Sequence, residues 1–145
     1  MISKPALREL VIIRMKDVNA LFEKRRYNAT IYMAGYAIEV ALKYKICKIL
    51  IYSQGFPENK VEFQKYHSSK SKKSLRQTVK SLQVIKTHDL SKLLFYSGME
   101  YQIKSKLFIQ WLLISTWNPE IRYKYSIVQK SEVSSILSAV NAILK

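Results

Sequence analysis

Turn-forming residues are scarce in this chain: three glycines and three prolines in 145 residues. Hairpin-rich β folds draw heavily on both residues, so such a fold is disfavoured. A single cysteine, Cys47, rules out an internal disulfide and makes a reducing cytoplasm the expected compartment. No apolar run reaches the about 18 residues of a membrane-spanning helix. The opening stretch "MISKPALREL" offers no apolar signal core, because Arg8 and Glu9 interrupt it. Two histidines and one cysteine show no zinc-ligand spacing, so neither a metal nor a cofactor is expected. Glycines at 35, 55 and 98 lie too far apart for a phosphate-cradling loop, and no GxSxG elbow occurs. Acidic residues are also few. Ten carboxylates face 25 lysines and arginines, a net charge of +15, which favours contact with RNA, DNA or acidic protein surfaces.

The remaining pattern is helical. Residues 6–25 carry Leu7, Leu10, Val11, Val18, Leu21 and Phe22 at three- and four-residue spacing, with Arg14 inside the stripe. Residues 28–52 are apolar around most of the circumference, which predicts the central helix, with Asn28 as its N-cap and "SQGFPE" as its stop. Tyr32, Tyr36, Glu39, Lys43 and Ile46 share one face of it. Residues 58–86 form a basic excursion, with "HSSKSKKS" as an exposed loop and a short helix through Leu75, Val79 and Leu82. A short helix is predicted over 87–98, capped by Thr87 or Asp89 and closed by Gly98. Another covers 100–116, "WNPEIRYKY" follows as a loop, and "SEVSSILSAVNAILK" is an amphipathic last helix capped by Ser131. The expected fold is one all-α domain over 1–145, an antiparallel bundle of about five helices interrupted by the basic excursion.

Glu39 is the conspicuous residue. It sits in "YMAGYAIEVALK", where an unpartnered carboxylate would be costly. Two partners suit it: Arg14 on the first helix, or Arg122 in "IRYKY". A buried ion pair of Arg14 and Glu39 would fix helix register without doing chemistry. Alternatively, Glu39, His88 and Arg122 line a polar pocket for nucleotide or RNA. Lys70, Lys72, Lys73 and Arg76 are the expected phosphate contacts of the basic excursion. Cys47, although flanked by Lys45 and Lys48, is expected to be inert.

Three features in this order resemble the HEPN domain family, the small all-α domains named for nucleotide binding in higher eukaryotes and prokaryotes. They are "RYNATIYMAGYAIEVALK", "THDLSKLL" and "WNPEIRY" ahead of an amphipathic last helix. The resemblance spans about residues 6–145 and implies an antiparallel bundle, often dimeric, that occurs in toxin–antitoxin pairs and beside small nucleotidyltransferases. It makes Glu39, Lys43, His88, Asp89, Arg122 and Tyr123 candidate ligand-binding residues. Many members are metal-independent ribonucleases with an Arg, four to six residues, then a His. Here the positions ahead of His88 hold Ser81, Leu82 and Gln83, and those ahead of His67 hold Lys60, Val61 and Glu62. The usual signature is therefore absent. The sequence thus points to a non-catalytic, dimeric binding module for nucleic acid or nucleotide. One rival is a divergent endoribonuclease toxin using His88 and Arg122. The other is a subunit that presents substrate to a nucleotidyltransferase. No membrane partner is expected.

Overall fold

The computed structural model describes residues 1–68 and 74–145. Among these residues the chain is all α, with a lone bridge between Ile2 and Phe56 and no strand. Among the described residues no helix is long and apolar enough to cross a membrane.

Helix α1 (Lys4–Glu23) starts where Ser3 Oγ accepts the Ala6 amide and Pro5 occupies the first turn, a position that needs no amide donor. Helix α2 (Tyr27–Ile49) follows after three residues, so the two pack as an antiparallel hairpin. Both helices end alike. Arg25 and Ile51 adopt left-handed backbone (φ 57° and 54°), and the next amide returns to a carbonyl five residues back: Arg26 to Leu21, Tyr52 to Cys47. This closure normally favours glycine, and for β-branched Ile51 it is strained. It ends α2 before Gly55 and Pro57, earlier than the sequence pattern predicts. Arg76 offsets the strain. Its guanidinium donates to the carbonyls of Leu50, Ile51 and Tyr66, so it caps α2 and ties it to helix α3 (Lys60–His67).

Helix α3 interrupts the predicted basic excursion, its Phe63 and Tyr66 buried in the core. Single turns α4 (Ser74–Gln77) and α5 (Leu82–Ile85) replace the one short helix expected there. Helix α6 (Leu90–Tyr96) is capped by Asp89, whose Oδ1 accepts the Lys92 amide, and left-handed Gly98 (φ 72°) follows it. Its Leu90, Leu93 and Leu94 point into the core, as the pattern predicts. The helix expected over 100–116 is divided at Leu107 (φ −133°) into α7 (Glu100–Lys106) and α8 (Phe108–Ile114). Pro119–Tyr123 form a 3₁₀ turn capped by Asn118, and α9 (Lys130–Leu144) closes the chain. Gln129, not Ser131, precedes the first turn of α9, and Arg26, not Asn28, precedes that of α2.

Helix α2 is the centre of the molecule, packed by α1, α6, α9 and the 3₁₀ turn. Apolar residues nearly all round its circumference require this placement. Ala34, Ala37, Ile38, Ile46 and Cys47 are fully buried. Asn28 has a different use: its Nδ2 donates to the Ser126 carbonyl, and Ser126 Oγ donates back to its Oδ1. That pair of hydrogen bonds fixes the segment after the 3₁₀ turn against the start of α2.

Candidate functional site

Glu39 is 3% exposed, and two groups reach it. Lys43, one turn on, donates from Nζ to Oε1 at 2.5 Å. His88 donates from Nδ1 to Oε2 at 2.8 Å, bringing together residues 49 apart in sequence. Neither expected arginine is involved. Arg14 is partly exposed and pairs with Asp17 at 3.1 Å, because its long side chain reaches water from the edge of the apolar stripe. Arg122 donates to the Tyr32 hydroxyl at 3.4 Å, and its guanidinium lies 4.7 Å from the Tyr123 ring centroid. The expected Arg14–Glu39 pair is thus replaced by a Lys43–Glu39–His88 triad.

His88 is held in place by the turn that opens α6. The Asp89 amide donates to Thr87 Oγ, while Asp89 itself caps the helix. The imidazole is 54% exposed despite its buried partner. Accepting from Nδ1–H, the carboxylate fixes the tautomer and leaves Nε2 as the nitrogen available to a ligand. Tyr36 packs edge-on against His88 (centroids 6.1 Å) and against Trp117 (5.2 Å). Burial pushes the Tyr36 phenol up to about 12, so near neutral pH it stays protonated and can donate a hydrogen bond. The Arg122 guanidinium lowers the neighbouring Tyr32 phenol.

Tyr36, His88, Asn118, Pro119, Glu120 and Arg122 enclose a cleft of about 490 Å³. It holds one imidazole, one guanidinium, one phenol and one carboxylate. Of the residues singled out in the sequence, His88 and Arg122 line it, Glu39 orients His88, and Lys43 neutralises Glu39 from behind. Asp89 faces its own helix and Lys92, and Tyr123 is exposed beneath Arg122. Asn118 and Glu120 were not legible as site residues, and Tyr36 was legible only as an aromatic that core packing would explain equally well. The signal for Tyr36 was its place on the same α2 face as Glu39; the other two belong to a turn whose neighbours depend on the fold.

Other candidates lie elsewhere. His67 Nε2 is 2.6 Å from the Tyr52 hydroxyl, its ring stacks on Phe63 (3.9 Å), and burial lowers its pKa. Cys47 is fully buried, and burial pushes its thiol up to about 12, so a thiolate nucleophile is disfavoured. Arg76 is engaged by backbone carbonyls. Lys70, Lys72 and Lys73 lie outside the described residues. Among the described residues no three His, Cys, Asp or Glu side chains come together as a metal site. Comparison with family models, with curated proteins and with solved structures finds no match for this chain.

Proposed function

We propose that the chain is a HEPN-like antiparallel bundle that binds nucleotide or nucleic acid through the His88–Arg122 cleft. One observation carries this reading: a guanidinium and an imidazole oriented by a buried carboxylate open onto the same concave site. Phosphate oxygens suit both groups. Glu120, which also lines the cleft, suits a ligand that offers a hydroxyl as well, as ribose does. The net charge of +15 would draw polyanions to the surface without selecting among them.

The test is titration of adenosine monophosphate and of a short labelled RNA at fixed salt. Arg122→Ala is expected to weaken binding about tenfold or more, through loss of a charge-assisted contact. Affinity unchanged in Arg122→Ala would place the ligand elsewhere.

The Glu39–His88 pair favours a second reading, metal-independent RNA cleavage. General acid–base chemistry on the 2′-hydroxyl and leaving oxygen is best served by two groups that exchange protons near neutrality. The cleft offers one imidazole beside a phenol pushed up to about 12. Binding without turnover is therefore preferred. RNA turnover in EDTA, lost in a folded His88→Ala variant, would establish the nuclease instead.

Dimerisation belongs to the same proposal. Helix α8, "FIQWLLI", carries no charge and exposes Phe108, Ile109 (71%), Leu112 and Leu113. Two strongly cationic chains meet with least repulsion across such a face. Replacing Ile109 and Leu112 together by lysine is expected to convert a dimer to a monomer in analytical ultracentrifugation. An unchanged sedimentation coefficient would remove α8 from the interface.

A further inference from the structure

A trough runs along the α1–α2 hairpin and shares no residue with the cleft. It joins a cavity of about 510 Å³ to a second of about 450 Å³, both lined by Arg8, Ile12 and Tyr44. Its walls are largely aliphatic: Val11, Ile12, Ala41, Leu42, Ile103 and Ile143. Ile12 is 53% exposed, unusual for an isoleucine with so much apolar surface around it. Basic groups stand along both sides, Lys4 and Arg8 on α1, Lys45 and Lys48 on α2. Among the described residues no carboxylate lies within ion-pair distance of these four. Among the described residues, Glu9 is the one acidic residue lining the trough. From Lys4 to Ile12 the trough follows about 12 Å of helix axis, roughly two turns.

We propose that this trough docks an amphipathic helical segment of a partner protein, aliphatic on one face and flanked by Asp or Glu. Aliphatic side chains at helical spacing would cover the floor, and the flanking carboxylates would meet the cations on both sides. Charge decides against the other occupants. A second copy of this chain would set one cationic rim against another. Nucleic acid would satisfy the cations but leave the aliphatic floor wet. A bilayer needs protruding apolar groups, whereas Leu42 and Ile103 on this floor are buried. The proposal stands independently of the function assigned to the cleft.

The probe is a synthetic helix-forming peptide of about 14 residues, with leucines at i, i+3, i+4 and i+7 and glutamates alongside. Binding to the full chain is read by fluorescence anisotropy and by amide chemical shifts. The wild type is expected to bind it, with shifts on α1 and α2, and to bind a lysine-flanked version at least about tenfold more weakly. Ile12→Glu should weaken the glutamate-flanked peptide about tenfold; this side chain is half exposed, so the core is untouched. Arg8→Glu with Lys45→Glu should lose that peptide and gain the lysine-flanked one, a reversal that misfolding cannot imitate. Absence of binding at millimolar peptide, or equal binding of both versions, overturns the proposal. So does adsorption to phosphatidylglycerol vesicles, or self-association of the chain, that Ile12→Glu abolishes.

Discussion

Glu39→Ala is expected to lower folding stability by about 3–5 kcal/mol, the usual range when one partner of a buried ion pair is removed. The magnitude comes from what remains. Lys43 is only 13% exposed and has its ammonium 2.5 Å from the carboxylate, so truncation strands a cation that water reaches poorly. His88 loses the acceptor that orients its ring. Glu39→Gln is expected to cost less, since its carbonyl can still accept from Lys43. The amide N–H₂ would then face Nδ1 as a donor, driving the imidazole proton to Nε2. Urea titration gives the stabilities, and ¹⁵N shifts of His88 report the tautomer. A loss under about 1 kcal/mol for Glu39→Ala would show that Lys43 and His88 find solvent or other acceptors.

Gly35→Ala should be nearly as damaging, although it adds one methyl group. A Cβ at residue 35 would lie 2.1–2.2 Å from three atoms of the Trp117 indole. No real contact is that short, and the indole is buried against Tyr36, so the ring itself must be displaced. Overpacking of this kind costs about 1–3 kcal/mol, and the upper end applies where the obstacle is a large ring. The displacement would spread to the cleft, because Trp117 directly precedes Asn118, Pro119, Glu120 and Arg122. Expected results are a stability loss of about 3 kcal/mol, a red-shifted tryptophan emission and weaker nucleotide binding. Pairing Gly35→Ala with Trp117→Leu should restore part of the stability, since the smaller side chain makes room. A fully stable Gly35→Ala variant would show that the contact relaxes freely.

Much of the α-helical architecture is contained in local pattern. Few turn residues and apolar positions at three- and four-residue spacing point to helices, and the apolar circumference of 28–52 makes that helix central. Helical spacing also places Tyr36, Glu39 and Lys43 on one face, so the Lys43–Glu39 contact is available within a single turn. A cap at Thr87 or Asp89 and Leu90, Leu93 and Leu94 as core residues follow from equally short-range rules, and the structure selects Asp89.

Tertiary structure decided what Glu39 meets across the chain. A helix face tells which side a residue is on, but not which distant loop is packed against it. His88 reaches Glu39 because α6 docks on α2, and Arg122 joins the cleft because the 3₁₀ turn packs there too. Arg14 suits Glu39 by charge yet lies where water and Asp17 are closer. The same distinction explains Arg76. Its charge suggested phosphate contact, but the strained left-handed end of α2 presents carbonyls to it. Periodicity acts over one or two helical turns, whereas these partners are set by the packing of elements tens of residues apart, where burial and the need to pair buried polar groups select among many chemically acceptable choices.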